Sequence, residues 1–127
     1  MPIDSKSQIL VVDDSGAVRG VVRKILRQLG YIDVDEASDG TAALAKMNEK
    51  PSYNLVISDW NMEPMNGKAL LDQARGKKQF EKLPFIMMTT ESEQYKILEA
   101  KYVGVSFINK PFSAEALQSK ISKMHVK

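Results

Sequence analysis

Four apolar runs in this chain each lead into a residue able to do chemistry. Ile9-Leu10-Val11-Val12 leads to Asp13-Asp14, and Leu55-Val56-Ile57 to Asp59. Phe85-Ile86-Met87-Met88 leads to Thr89-Thr90, and the run from Val105 to Ile108 to Lys110. Short β-branched runs of this kind read as buried strands. In an open parallel sheet, ligands bind in the crevice beyond the carboxyl ends of the strands, so these residues are predicted to converge. Three carboxylates on one rim repel one another, and a hard divalent cation with oxygen ligands, best Mg²⁺, relieves that repulsion. Such a cation neutralises phosphoryl oxygens, a carboxylate can attack phosphorus, and Thr and Lys can hold the remaining oxygens. Asp59, alone at the tip of its strand, is the candidate nucleophile. Asp13 and Asp14 are adjacent and point to opposite sides of the first strand, as a shared metal site allows. Pro111 biases Lys110 toward an extended backbone that helps to hold its amine over the site.

The rest of the composition narrows the chemistry. There is no cysteine and only one histidine, His125, so a disulfide framework, a thiolate nucleophile and a multi-His metal site are excluded. Lys and Arg number 18 against 16 Asp and Glu, a net charge of +2, which predicts neither nucleic-acid nor anionic-membrane binding. With 127 residues, 43% hydrophobic and 27% charged, the chain is sized for one domain spanning 1–127, with no room for an output domain. The opening Met1-Pro2-Ile3-Asp4-Ser5-Lys6 lacks a charged segment followed by an apolar stretch, and no run is long enough to span a bilayer, so a cytoplasmic protein is expected.

The elements that must position these residues alternate between strand and helix, the pattern of an α/β fold with a parallel sheet covered on both faces. Ser15 can cap a first helix whose Val18, Val21, Val22, Ile25, Leu26 and Leu29 form a core-facing stripe, stopped by Gly30. A weaker strand at Val34 precedes Ser38-Asp39-Gly40 and a second helix with Leu44 and Met47; Asn66-Gly67 opens a third. Ser92 can cap a fourth helix and Ser113 a fifth, the latter burying Leu117, Ile121 and Met124. Five β–α units result.

Val11-Val12-Asp13-Asp14-Ser15, Ile57-Ser58-Asp59-Trp60-Asn61-Met62, Met88-Thr89-Thr90-Glu91 and Lys110-Pro111-Phe112 together resemble the signature segments of response-regulator receiver domains, in order along the whole chain. The resemblance implies a doubly wound five-stranded parallel sheet of order 2-1-3-4-5. It further implies that Asp13, Asp14, Asp59 and the Asn61 carbonyl surround Mg²⁺, with Asp14 a direct ligand, and that Asp59 accepts a phosphoryl group from a histidine kinase. Thr89 and Lys110 then contact that group, Thr89 and Phe107 form the switch, and Asn61 and Glu91 tune its loss. The protein is thus expected to be a signalling phosphoacceptor in a two-component system, catalysing only its own phosphotransfer and dephosphorylation. Its downstream partner is a flagellar-motor switch protein of the chemotaxis type or, alternatively, a histidine phosphotransfer protein that makes the chain a shuttle or phosphate sink.

Departures from the family pattern fall near the site. Glu63 stands where receivers usually carry Pro, with Pro64 one place later, and Phe107 replaces the tyrosine of chemotaxis-type receivers. The stretch from Thr89 to Lys110 is one residue shorter, and Val105 replaces a common alanine. Trp60 reads as a partly exposed loop residue, His125 as inert, and Lys120, Lys123 and Lys127 as a solvated face or a contact for an acidic partner. Two other classes fit less well. An Asp-x-Asp phosphatase lacks its second carboxylate, because Asn61 stands there, and has no space for a substrate cap. A flavodoxin's phosphate-bearing cofactor would meet three carboxylates. A receiver fold that no longer takes phosphate is opposed by the complete acidic set.

Overall fold

Side chains of successive strand residues alternate between two faces, and in this chain both faces are apolar, so the sheet must be covered twice. The computed structural model describes residues 3–62, 64–90 and 104–124. Strands β1 (Gln8–Val12), β2 (Asp33–Ala37), β3 (Leu55–Asp59), β4 (Phe85–Thr89) and β5 (Val105–Asn109) form one parallel sheet in the order β2-β1-β3-β4-β5. Helices α1 (Gly16–Gln28) and α4 (Ala114–Ser122) cover one face, packing Val22, Leu26, Leu117 and Ile121 on Ile9, Val11, Ile57 and Met88. Helices α2 (Gly40–Glu49) and α3 (Gly67–Arg75) cover the other, packing Met47, Leu70 and Leu71 on Leu10, Val12, Val56 and Met87. The helix expected after Ser92 lies outside the described residues, as do Glu63, Glu91, His125 and Lys127.

Each described α-helix starts where a short polar side chain satisfies a free backbone N–H. Ser15, Asp39, Asn66 and Ser113 accept from Val18, Ala42, Ala69 and Ala116 respectively. Helix α1 stops as read from the sequence: Gly30 has φ +98°, a left-handed conformation, and donates to the Arg27 carbonyl.

One expectation needs correcting and another is extended. The apolar stripe of α1 is not all core: Val22 and Leu26 are buried, Val18, Ile25 and Leu29 half-buried, and Val21 is 59% exposed. Six apolar positions span a wider arc of helix than one sheet face can cover. The excess lines an apolar groove of about 440 Å³ beside Lys110, shared with Pro111 and Phe112. Strand β2 is a full five-residue strand although only Val34 and Ala37 are apolar. As an edge strand it is held by its ladder to β1, while its carboxylates meet cations. Lys50 lies 3.3 Å from Asp35, which also accepts from the Tyr53 hydroxyl, and Arg19 and Arg23 both reach Glu36.

Candidate functional site

Strand register places the site at the carboxyl rim. Val12 is level with Ser58, Asp59 with Met88, and Thr89 with Asn109. One step beyond the paired residues therefore lie Asp13 beside Asp59 and Lys110 beside Thr90, and the Lys110 N–H donates to the Thr89 carbonyl at 2.9 Å. The Lys110–Pro111 peptide bond is cis.

One carboxylate oxygen from each of Asp13, Asp14 and Asp59 lies within 4.8 Å of the others. Asp13 is 1% and Asp59 7% exposed, whereas Asp14 is open to solvent. Opposite-side alternation does not separate the acidic pair, because β1 ends at Val12 and the chain turns there into the α1 cap. Asp13 and Asp14 thus reach one rim, the first from the buried side and the second from the solvent side. Lys110 Nζ bridges Asp13 at 3.0 Å and Asp59 at 3.1 Å.

One ammonium does not balance three carboxylates. Burial pushes the Asp59 carboxyl above its ordinary range and the Asp13 charge adds to the effect, while hydrogen bonds from Lys110 and the Asn61 backbone N–H oppose it. Burial alone would lower the Lys110 ammonium, but its hydrogen bonds to Asp13 and Asp59 outweigh that and raise it. The pocket therefore holds excess negative charge on oxygen ligands with one exposed carboxylate at its mouth. That donor set suits a hard divalent cation.

The other predicted residues surround this group. Thr89 is buried at the end of β4, and Asn61 is exposed in the β3–α3 turn. Gly67 secures that turn: its N–H donates to the Trp60 carbonyl at 3.0 Å, and a Cβ there would lie 2.4 Å from the Asp59 carbonyl oxygen. Phe107 is 1% exposed, and its ring meets Trp60 edge-on, with centroids 5.3 Å apart. Trp60 is accordingly half-buried and touches the aromatic of β5. Lys120 is half-buried and Lys123 exposed. Sequence reasoning missed Arg19 and Glu36, which brace the Asp13 backbone; a main-chain acceptor leaves no signature in residue types.

Strand order and rim chemistry define a doubly wound α/β domain with an acidic, lysine-bridged pocket. The chain belongs to the response regulator receiver domain family, whose model matches residues 9–122. It is 38% identical over 123 residues to the chemotaxis protein CheY-3 of Vibrio cholerae, covering 96% of this chain and 94% of that one. The chemotaxis protein CheY of Pseudomonas aeruginosa is 37% identical over 118 residues, covering 92% and 94%. Among solved structures, CheY4 of Vibrio cholerae superposes with a TM-score of 0.82 at 35% identity, covering 94% of this chain and 98% of that one. The receiver domain of the hybrid histidine kinase CckA gives 0.74 at 32% identity, covering 92% and 97%. The chain is therefore a CheY-like response regulator, a signalling phosphoacceptor of the two-component type.

Proposed function

We propose that this protein accepts a phosphoryl group from a histidine kinase on Asp59 and signals by changing what its surface binds. The observation that carries this reading is the bridging of Asp13 and Asp59 by Lys110 beside the exposed Asp14. An Asp59 carboxylate oxygen attacks the phosphorus of a phosphohistidine. The P–N bond breaks, its electron pair stays on the imidazole nitrogen, and an aspartyl phosphate forms. Mg²⁺, when held by Asp13, Asp14, Asp59 and the Asn61 carbonyl, supplies charge neutralisation for the transferring oxygens. Lys110 then exchanges part of its contact with Asp59 for a phosphoryl oxygen, and Thr89 holds another. Movement of Thr89 toward the phosphoryl group changes the packing around Phe107, the buried β5 ring that meets Trp60, and so couples the site to the β5 face. Asn61 and Glu91 set how readily water reaches the phosphoryl group.

The relatives named chemotaxis proteins favour a motor switch protein as the downstream partner of a cytoplasmic regulator. The likeness to a hybrid-kinase receiver favours a phosphorelay role, with a histidine phosphotransfer protein as partner. Among the described residues no helix is long and apolar enough to cross a membrane. The test is Trp60 fluorescence during titration with Mg²⁺ and then acetyl phosphate, with intact mass read in parallel. Metal-dependent quenching and addition of one phosphoryl group, both steps followed in the unaltered chain and the second lost in Asp59→Asn, is the expected result. Quenching by Mg²⁺ with no covalent phosphate would instead establish a phosphate-independent binding module.

A further inference from the structure

The Asp13 main chain is tied down at both ends. Its N–H donates to the Ala37 carbonyl of β2 at 3.1 Å, and its carbonyl accepts from Arg19 Nη1 at 2.6 Å. Its carboxylate is equally occupied, accepting from the Ser15 N–H at 2.9 Å and from Lys110 at 3.0 Å. Arg19 is itself gripped from behind, because its Nε donates to Glu36 at 3.0 Å. Glu36 is in turn held by Arg23 at 2.8 Å. The hydrogen bond from Arg23, and then that from Arg19, keeps the Glu36 carboxyl below its usual range.

A peptide group is planar, so fixing the direction of the Asp13 carbonyl also fixes the N–Cα bond of Asp14. Asp14 is the exposed member of the acidic trio, and the acidic trio is where the proposed function puts the cation. We propose that Arg19 is a positioning residue for this pocket: forked between Glu36 and the Asp13 carbonyl, it sets the Asp13–Asp14 peptide plane and so aims the Asp14 carboxylate at the cation. The inference rests on the metal-binding reading above.

Simple electrostatics gives the opposite sign, which makes the idea testable. Removing a cation close to three carboxylates should tighten binding of another cation. Loss of a positioning contact should weaken it, by about tenfold on the scale of outer-layer contacts to metal ligands. Lysine keeps the charge but has no planar fork, so it cannot replace arginine between two acceptors set at an angle.

The experiment measures the Mg²⁺ dissociation constant by Trp60 quenching at fixed ionic strength in the unaltered chain, Arg19→Gln, Arg19→Lys and Glu36→Gln, with thermal melting of each. Both Arg19 variants are expected to bind Mg²⁺ about tenfold more weakly, and Glu36→Gln about two- to threefold. The Asp14 amide resonance should shift in metal-free Arg19→Lys. Unchanged or tighter binding in the folded Arg19 variants overturns the inference, as does a lower melting temperature with an unaltered dissociation constant. If Arg19→Gln does not fold, Glu36→Gln decides by the same criterion. No Mg²⁺ response in the unaltered chain would sink the metal-binding reading itself, and the inference with it.

Discussion

Asp59 shows how one side chain can be made both expensive and useful. Its pKa is raised chiefly by burial, so between the ordinary aspartate value of 3.8 and its folded value the native chain binds more protons than the unfolded chain. Stability therefore falls as pH rises through that window, and the full penalty persists above it. Asp59→Asn removes the penalty while leaving Lys110 its bond to Asp13. In metal-free buffer this variant should melt a few degrees higher than the unaltered chain at neutral pH. The advantage should shrink as pH falls through the window and vanish below it, as thermal melts at several pH values would reveal. Equal melting temperatures at neutral pH would mean that the Asp59 charge is already fully compensated. The carboxylates, Thr89 and Lys110 were legible in the sequence because each closes an apolar run. Arg19 was not, since arginines on an amphipathic helix are ordinarily solvated and nothing in its spacing reveals a carbonyl partner.

At the scale of elements, the β3–α3 turn is the most constrained piece. A methyl group at Gly67 would press on the Asp59 carbonyl, and both atoms belong to backbone that cannot swing away. Gly67→Ala should cost about 1–3 kcal/mol in urea denaturation, the usual price of overpacking. Because Asn61 rides on the same turn, the variant should also weaken Mg²⁺ binding as read by Trp60 quenching. A stable variant with unaltered quenching would show that the turn is softer than its contacts suggest. Helix starts at Ser15, Asn66 and Ser113 could be read directly, since capping is local chemistry. The burial of α1 could not, because periodicity reports an apolar face without saying how wide a neighbour will cover it. Strand β2 was faint for a related reason: its charges are balanced by Lys50, Arg19 and Arg23 from other elements.

Across the whole molecule, one sheet divides two apolar layers, and the same strands carry both. Leu26 sits in the layer under α1 and α4, Leu70 in that under α2 and α3, and both are fully buried. Leu26→Ala and Leu70→Ala should each cost about 2–5 kcal/mol. Since every strand links the layers, each variant should still unfold in a single transition, with Trp60 fluorescence and far-ultraviolet circular dichroism coinciding. Separate midpoints for the two probes would mean that the layers melt independently. The open edge of the sheet at β2 has a different consequence. Asp33, Asp35 and Glu36 line a strand whose outer backbone groups could otherwise template another strand. Charge along such an edge discourages pairing with a second sheet, so the molecule is guarded on that side against polymerisation at high concentration.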